Sequence, residues 1–380
     1  MAGVLHVVHV LVGLDTGGAE TMMLRFITGS DASRFRHSVV SLTDVGAIGT
    51  ELQRHGVEVH ALHMRRGMPN PFKLFTLARF FRQLRPDVVK SWLYHGDFAA
   101  SIARFIGARF PLVWGIHSSS IDPAHLKPAS LRIARVCARM SHRVPDAIIC
   151  DSQASKAMHE QLGYDAEKMI VIANGFDTTA FRPRPDATAV LLRELGLPPE
   201  TKLVGLAARF DPVKDHRNFL EAARIIRQQC PSAFFVLCGG IGIDEQNARL
   251  MSWIDELGLR DSVALLGRRA DLPSFMAALH VGVSASATES FPIMVGELMA
   301  SGVPVVSTDA GDSAFLVDDT GFVVPRRDSA ALAAACLRVL EMPEDERVRM
   351  GLRGRERIVS GFRLESTVQQ YEAVLAEAVS

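Results

Sequence analysis

Short apolar runs alternate with amphipathic stretches along both halves of the chain. Each run has the length of a strand and is bounded by turn residues, which predicts a buried strand. In the first half the predicted strands are Leu5–Val12, Ser38–Leu42, Val57–Leu62, Val88–Trp92, Leu112–Gly115, Ala147–Cys150 and Met169–Ile172. In the second half they are Lys202–Ala207, Ala233–Cys238, Val263–Leu266, Val281–Ser284 and Val303–Ser307.

Many of the stretches between these runs place apolar residues at helical spacing. Helices are predicted, for example, over Ala19–Thr28, Pro71–Arg85, Asp97–Ile106, Leu131–His142, Asn218–Gln228 and Ala248–Leu257. Because parallel strands need crossover connections, this alternation predicts an α/β protein with two Rossmann-like domains. Each domain would be a parallel sheet covered by helices on both faces.

The domain boundary is predicted within Asp177–Pro199, which is the segment richest in proline between periodic regions. One more amphipathic helix is predicted over Leu364–Ala378. The chain is therefore divided into a first domain over residues 1–178, a second over 179–360 and a terminal helical segment over 361–380.

The 380 residues carry 42 Lys and Arg and 42 Asp and Glu, so the formal net charge is zero. That balance argues against a dedicated nucleic-acid-binding protein. The charge is nevertheless uneven, because residues 1–178 have a net charge of +5 and residues 179–380 one of −5. The basic excess is concentrated over residues 73–143, which indicates an anionic partner or surface.

Part of that excess lies on one predicted helix. Arg132, Arg135, Arg139 and Arg143 share one of its faces, while its apolar residues fall largely elsewhere. Such a helix is a candidate for peripheral contact with an anionic membrane. An equally good interpretation is a basic face in contact with water.

The five cysteines are scattered and none forms a C-x-x-C pair, which predicts reduced thiols and a cytoplasmic location. No apolar segment reaches the 18 residues typical of a membrane-spanning helix. The N-terminal stretch has neither a basic region nor a cleavage site, and it is predicted to be the first strand rather than a signal peptide.

Two glutamates, Glu289 and Glu297, are separated by seven residues in the segment ATESFPIMVGELMASGVPVVSTD. Pro292 fits the first turn of a helix and Gly302 fits a left-handed stop, which predicts a helix over Pro292–Ser301. Glu289 would then precede the helix and Glu297 would lie inside it.

The same segment offers a place for a phosphate. The backbone N–H groups of Ser290, Phe291 and Ile293 lie at the predicted helix N-terminus, where an anion binds well. Arg209 and Lys214 follow another predicted strand and are five residues apart across a strand-to-helix turn, so both can reach one diphosphate. These residues together predict a sugar-nucleotide site.

The E-x7-E segment and the Arg-x4-Lys pair resemble the signatures of the GT4 family of retaining glycosyltransferases, which have the GT-B fold. The resemblance covers nearly the whole chain and implies two Rossmann-like domains facing a central cleft, with a C-terminal helix crossing back onto the first domain. It implies that Glu289 binds the hydroxyls of the transferred sugar and Glu297 the ribose. Arg209 and Lys214 would stabilise the leaving diphosphate. The alternative is that these are ordinary charged residues in surface turns.

Weaker signals come from the first half. Gly17 and Gly18 resemble the Gly-rich loop that faces the cleft in GT4 enzymes, although a plain helix N-cap turn has the same composition. His117 follows the strand Leu112–Gly115 and resembles a histidine that contacts the donor sugar and phosphate. His95 holds a similar position after its strand. Either histidine can instead be a capping or surface group.

Other turns in the chain are less specific. Gly239 and Arg268 lie in loops that end two strands, and by resemblance these loops contact the nucleotide base. The segment Asn174–Asp177 resembles the GT4 sequence before the interdomain linker and is interpreted as structural. His216 is interpreted as a surface residue in the first turn of a helix. Gly296, where bulkier residues are usual, is expected to loosen its helix slightly.

Several motifs are absent from the sequence. There is no Asp-x-Asp, so we do not expect a metal-bridged diphosphate or a cofactor other than the nucleotide sugar as co-substrate. H-E-x-x-H, G-x-S-x-G and the Walker A motif are absent as well.

These observations predict a metal-independent, retaining glycosyltransferase. It would move a hexosyl unit from a UDP- or GDP-sugar, bound mainly by the second domain, to a glycan or lipid-linked acceptor, bound mainly by the first. One alternative is a sugar-nucleotide 2-epimerase of the same fold, which needs carboxylate and histidine groups around the sugar. The other is a non-catalytic partner subunit that uses the fold for protein contacts.

Overall fold

The computed structural model describes residues 3–15, 17–64, 71–107, 109–118 and 128–380. These residues form two compact units. One unit comprises Met1–Gly175 and Leu364–Ser380, and the other comprises Phe176–Arg363.

Within the described residues, the first unit contains a seven-stranded parallel sheet with the order β3-β2-β1-β4-β5-β6-β7. Its strands are β1 (Leu5–Leu11), β2 (Phe35–Ser41), β3 (Glu58–Ala61), β4 (Val88–Ser91), β5 (Leu112–Ile116), β6 (Ala147–Cys150) and β7 (Met169–Val171). Its helices are α1 (Gly18–Gly29), α2 (Gly46–Arg54), α3 (Pro71–Leu84), α4 (Leu93–Phe105), α5 (Pro128–Ser141) and α6 (Gln153–Leu162).

The second unit contains a six-stranded parallel sheet with the order β10-β9-β8-β11-β12-β13. Its strands are β8 (Lys202–Ala207), β9 (Ala233–Cys238), β10 (Val263–Leu265), β11 (Val281–Ser284), β12 (Val305–Thr308) and β13 (Phe322–Val324). Its helices are α7 (Ala187–Glu194), α8 (His216–Gln229), α9 (Ala248–Glu256), α10 (Leu272–Ala277), α11 (Ile293–Ala300), α12 (Ser313–Val317), α13 (Ser329–Glu341) and α14 (Glu344–Gly361).

The last helix, α15 (Leu364–Glu377), belongs to the first unit. Its Tyr371 is fully buried, with its ring 5.1 Å from that of Phe26 on α1. The Glu372 carboxylate accepts hydrogen bonds of 2.8 Å from the Ser30 hydroxyl and the Asp31 N–H. The helix is therefore an integral part of the first unit's core, as the family resemblance implied.

Both faces of the first sheet are buried, which explains why its strands are continuous apolar runs. Val7 and Leu11 of β1 pack in one core with residues of α1 and α15. Val8 and Val10 of the same strand pack in a second core with residues of α3, α4 and α5. The twelve predicted strands are all present, which confirms the doubly covered parallel sheets.

Several elements differ from the prediction. Strand β13 was missed because its apolar run is only three residues long. Helix α4 begins at Leu93, four residues before the predicted start at Asp97. Strand β12 begins at Val305 and not at Val303, because Pro304 has no N–H to donate to a neighbouring strand.

The fold determines where a ligand can bind. In open parallel sheets, ligands bind beyond the carboxyl ends of the strands, where the strand order reverses. The order reverses between β1 and β4 in the first unit, and between β8 and β11 in the second. Arg209 follows β8 and Glu289 follows β11, so both lie beyond that edge of the second sheet.

Candidate functional site

The structure brings together two candidate residues that are 75 positions apart. Lys214 Nζ donates a hydrogen bond to Glu289 Oε1, and their side chains are 24% and 15% exposed. The Ser286 hydroxyl donates to the same carboxylate oxygen at 2.7 Å. The Ala287 N–H donates to the Val213 carbonyl at 2.8 Å, so the backbones of the two loops are also joined. This cation and this carboxylate thus form one polar site.

Arg209 occupies a more exposed position beside that site. Its Nε and Nη2 atoms lie 3.1 and 3.0 Å from Asp211 Oδ2, and its side chain is 59% exposed. Asp211 also accepts from the Val213 N–H at 3.1 Å, which fixes the turn before Lys214. An exposed ion pair contributes little free energy. Arg209 can therefore leave the Asp211 carboxylate and bind a phosphate with only a small loss of free energy.

The second glutamate of the pair lies inside α11, as predicted, and is 6% exposed. The loop before this helix is held by a turn, because the Asp312 N–H donates to the Ser290 carbonyl at 3.0 Å. Gly311 is required in that turn. Its φ is +57°, and a Cβ there would lie 2.4 Å from the carbonyl oxygens of Glu289 and Ser290. Phe291, the next residue of the loop, is buried.

Gly296 does not loosen its helix, contrary to the expectation from the sequence. A Cβ at Gly296 would lie 2.0 Å from Cζ of Phe176, which is fully buried against the helix. The Phe176 ring also stacks on Phe291 with a centroid distance of 6.1 Å. The missing side chain at Gly296 therefore leaves room for the Phe176 ring, which packs directly against the backbone of α11.

The two predicted base-contacting loops of the second unit lie next to each other. The Gly239 N–H donates to the Gly267 carbonyl at 2.9 Å. Gly239 has a φ of +144°, and a Cβ there would lie 2.3 Å from the Ala208 carbonyl. Arg268 is exposed, whereas its neighbour Arg269 is held by ion pairs with two acidic side chains.

His216 is buried and is not the surface residue that the sequence suggested. Its exposed fraction is 2%, and its ring lies 5.4 Å from that of Phe210. Burial lowers the pKa of His216 to about 4. The sequence-based interpretation was wrong because His216 is the first residue of an amphipathic helix. Whether the first turn of that helix faces the core depends on how α8 packs.

In the first unit, Gly17 precedes α1 as its N-cap and Gly18 is its first residue. The Gly17 carbonyl accepts from the Thr21 N–H at 2.9 Å. A Cβ at Gly17 would lie 2.2 Å from Glu20 Oε2, so the glycine leaves room for that carboxylate. Thr16, the preceding residue of the loop, lies outside the described residues.

His117 follows β5 and its side chain is 3% exposed. Its ring stacks on Trp92 at a centroid distance of 4.8 Å, and its Nδ1 lies 3.8 Å from Asp151 Oδ2. Burial and the nearby Lys90 hold the pKa of His117 well below its usual range. His95 lies in the first turn of α4 and is partly buried, which lowers its pKa.

The basic helix α5 differs from the sequence-based hypothesis in one respect. Its arginines are exposed, as predicted. Its apolar side, however, is part of the core, with Ala134, Cys137 and Ala138 buried. The helix therefore cannot insert an apolar face into a membrane, and only its basic face is available to a partner.

Two charged residues of the first unit were not singled out from the sequence. Lys90 in β4 and Asp97 in α4 are both fully buried. The signal that could have revealed Lys90 is a lysine inside the apolar run VVKS, since an ionisable group in a buried strand needs a reason to be there. Asp97 was instead interpreted as the start of a helix.

The described residues contain no group of three or more His, Cys, Asp or Glu side chains that could hold a metal ion. Among the described helices, none is both long enough and apolar enough to span a bilayer.

Two family models match the chain, and together they span most of it. The model described as Glycosyltransferase Family 4 matches residues 16–180. The model described as Glycosyl transferases group 1 matches residues 190–357. The division between the two matches falls within the predicted linker region.

Individual relatives have related activities. A D-inositol 3-phosphate glycosyltransferase from Corynebacterium urealyticum is 31% identical over 238 residues, which are 60% of this chain and 55% of that protein. The chain thus spans about half the length of this relative. The Escherichia coli UDP-Gal:alpha-D-GlcNAc-diphosphoundecaprenol alpha-1,3-galactosyltransferase is 23% identical, over 80% of this chain and 79% of its own length.

Solved structures agree with the sequence matches. The crystal structure of HepE from Anabaena in complex with UDP-glucose has a TM-score of 0.85 and 27% identity, and the match covers 98% of this chain and 100% of that one. Both units of the present chain are included in this match. The chain belongs to the GT4-type glycosyltransferases of GT-B fold.

Proposed function

We propose that this chain transfers a hexosyl unit from a nucleotide-diphosphate sugar to a glycan or lipid-linked acceptor, with retention of the anomeric configuration and without a metal ion. The observation that carries the proposal is the contact between Lys214 and Glu289. In a sugar nucleotide, one bond joins the anomeric carbon to the diphosphate. A cation for the phosphate and a carboxylate for the sugar hydroxyls must therefore lie side by side, as these two do.

The proposed mechanism stabilises the leaving group. Lys214, Arg209 and the N–H groups of Ser290 and Phe291 would neutralise the charge that develops on the departing diphosphate. Glu289 would orient the sugar through its hydroxyls. Because no residue of the site is a convincing nucleophile, the acceptor would attack from the same face, with the leaving phosphate taking its proton.

The remaining donor contacts follow from the same arrangement. Glu297, about one turn into α11, would bind the ribose. The loops that contain Gly239 and Arg268 would contact the base. In the first unit, Gly17 and Gly18 would allow close approach of the backbone, and His117 would contact the sugar.

We propose that the donor is a UDP-sugar in preference to a GDP-sugar. This order is supported by the UDP-glucose in the HepE complex and by the UDP-galactose in the name of the E. coli relative. The same relative acts on a diphosphoundecaprenol-linked sugar. We therefore propose a lipid-linked or glycan acceptor on the first unit, and peripheral contact with an anionic membrane through the basic face of α5. Location on the cytoplasmic face of a membrane fits this proposal.

A thermal-shift experiment tests the donor site. The protein is heated with UDP, GDP, ADP and their common sugar derivatives in the presence of EDTA. We expect UDP to raise the midpoint, since a ligand at one hundred times its Kd adds about 2.7 kcal/mol to the stability of the folded state. The shift should be lost in Glu297→Gln and retained in Glu344→Gln, an exposed glutamate of the same unit.

Two results would contradict the proposal. A shift that requires a divalent cation contradicts the metal-independent site. The absence of any shift favours the non-catalytic partner subunit. Product analysis then distinguishes a glycosyltransferase from a sugar-nucleotide 2-epimerase. The epimerase converts the donor sugar without an acceptor, whereas the transferase releases the nucleotide diphosphate. The anomeric configuration of the product, determined by NMR, decides between retention and inversion.

A further inference from the structure

The carboxyl end of β12 places polar side chains in the interior of the second unit. Ser307 and Thr308 end this otherwise apolar strand, and both are fully buried. A buried hydroxyl group is costly unless it is hydrogen-bonded. The Thr308 hydroxyl donates to the Ser286 carbonyl at 2.6 Å and lies 3.4 Å from the Ser284 carbonyl oxygen. It therefore joins β12 to the loop that carries Glu289.

The strand register explains why a side-chain donor is needed at this point. The last residue of β11 that pairs with β12 is Ser284, which lies opposite Ser307. Beyond Ser284 the chain leaves the sheet, yet Ser286 is only 3% exposed. A buried carbonyl beyond the end of the strand pairing still needs a donor. The Thr308 hydroxyl supplies the hydrogen bond that a neighbouring strand provides elsewhere in the sheet.

Thr308 is itself held firmly by its neighbours. It pairs with Val324 of β13, and the Asp309 N–H donates to the Val324 carbonyl at 2.8 Å. The Thr308 carbonyl accepts from the Ala310 N–H at 2.8 Å and from the Ser307 hydroxyl at 3.0 Å. A residue that is locked by packing and hydrogen bonds can hold the parts of a binding site in a precise geometry. Thr308 is therefore suited to serve as an anchor for the loop.

Ser286 connects this anchor to the candidate sugar ligand. Its carbonyl accepts from Thr308, while its hydroxyl donates to Glu289 Oε1 at 2.7 Å. The same carboxylate oxygen accepts from Lys214 Nζ. Because the terminal torsion of a glutamate side chain has broad preferences, its carboxylate is oriented mainly by the groups that donate to it. A continuous series of hydrogen bonds thus runs from β12 through Ser286 to the Glu289 carboxylate.

The residues that follow Thr308 support the rest of the same loop. Gly311 packs so closely that a Cβ there would lie 2.4 Å from the carbonyl oxygens of Glu289 and Ser290. The Asp312 N–H donates to the Ser290 carbonyl at 3.0 Å. The segment from Thr308 to Asp312 therefore contacts the loop along its length. The position of Glu289 depends on this segment as well as on its contact with Lys214.

We infer that Thr308 is a positioning residue for the sugar of the donor. Its hydroxyl fixes the Ser286 carbonyl, and the Ser286 hydroxyl then holds the Glu289 carboxylate in the orientation that meets the sugar hydroxyls. Thr308 acts through Ser286 and needs no contact with the donor. This inference rests on the proposed function, in which Glu289 binds the transferred sugar. A purely structural role would affect the binding of the nucleotide and of the sugar nucleotide alike.

The test compares the binding of UDP and UDP-glucose to Thr308→Val by calorimetry. Valine has the shape of threonine but lacks the hydroxyl. We expect the affinity for UDP-glucose to fall about tenfold, because a hydrogen bond between the sugar and a charged group is no longer well aligned. The affinity for UDP should change by less than about twofold, since the diphosphate and the ribose are assigned to other residues of the site.

Two further variants serve as controls. Thr308→Ser keeps the hydroxyl and should bind UDP-glucose like the wild type. Thr320→Val removes another buried hydroxyl of the second unit, which donates to the Val317 carbonyl at 2.6 Å just before β13, at the opposite edge of the sheet. It should leave both affinities unchanged. Equal losses for UDP and UDP-glucose in Thr308→Val, or no loss for either, overturn the inference.

A crystal structure of Thr308→Val without ligand tests the positioning separately from binding. The Ser286 hydroxyl and the Glu289 carboxylate should no longer lie within hydrogen-bond distance, and an unchanged contact overturns the inference. If Thr308→Val does not fold, Thr308→Ala removes the same hydroxyl without placing a methyl group against the Ser286 carbonyl. A wild type that binds neither UDP nor UDP-glucose refutes the proposed donor site, whereas the crystal structure still decides whether Thr308 positions Glu289.

Discussion

Arg209 and Lys214 have the same charge and follow the same strand, but the structure gives them different partners. Lys214 is largely buried against Glu289, whereas Arg209 is mainly exposed and pairs with Asp211. Removing Lys214 would leave a partly buried carboxylate without its cation. Removing Arg209 breaks only a surface ion pair. Arg209 is therefore the residue at which a role in catalysis can be separated from a role in stability.

We predict that Arg209→Ala lowers turnover by roughly 10²- to 10³-fold, because the substitution removes one of the charges proposed to stabilise the leaving diphosphate. The free energy of unfolding should change by less than about 1 kcal/mol. Arg260→Ala is the matched control, since Arg260 makes a similar two-atom contact with an exposed aspartate of the same unit. Steady-state kinetics and urea unfolding measure the two effects. Equal turnover in both variants would exclude Arg209 from the mechanism.

At the scale of the element, α11 depends on a residue far away in the sequence. The helix carries Glu297 and follows the proposed phosphate site, and its position is fixed by the ring of Phe176 packed against Gly296. The Phe176 N–H donates to the Phe362 carbonyl at 2.9 Å. The first residues of the second unit thus hold the helix that carries Glu297, a residue of the proposed donor site.

Gly296→Ala is expected to destabilise the protein by about 1–3 kcal/mol, because the new methyl group meets a buried ring that has no room to move. Gly354→Ala provides the comparison within α14. There a Cβ would make ordinary contacts of 3.6 Å or more with Met299, so the substitution should raise stability by about 0.5–1 kcal/mol through helix propensity. Urea unfolding of both variants measures the difference. Equal effects would show that Phe176 does not constrain the helix.

At the scale of the whole molecule, charge is distributed unevenly between the two halves of the chain. The net charge is +5 over residues 1–178 and −5 over 179–380. The exposed arginines of α5 contribute to the first value, and that helix contains no acidic residue. Because the apolar side of α5 is in the core, an attraction of α5 to a membrane must be electrostatic and therefore sensitive to salt.

We predict that the protein floats with vesicles that contain anionic lipid at low salt and is released as the salt concentration rises. The double variant Arg135→Gln/Arg139→Gln should bind about 30-fold more weakly, since each arginine near the surface contributes about 1 kcal/mol. Arg349→Gln/Arg353→Gln on α14 of the second unit removes the same charge and should bind like the wild type. Equal loss in both double variants, or no flotation at all, would rule out α5 as the contact.

The sequence alone determined the parallel sheets and the sheet edge at which the candidate site residues of the second unit lie. Apolar runs, helical spacing and turn residues are local properties of the sequence. They are therefore sufficient to predict β8, β11 and the positions of the charged residues that follow them. Parallel strands then bring those residues to one edge whatever the details of packing. Strand β13 was not predicted, because an apolar run of three residues is too short to be recognised as a strand.

Only the tertiary structure decided which of those residues meet and which are buried. The Lys214–Glu289 contact joins two loops from different strands, and the burial of Lys90 depends on the missing side chain at Gly115. Gly296 and His216 were misjudged for the same reason. Whether a small residue receives a ring, or a polar one faces the core, is set by the element packed against it. That information lies elsewhere in the chain and becomes available only once the chain has folded.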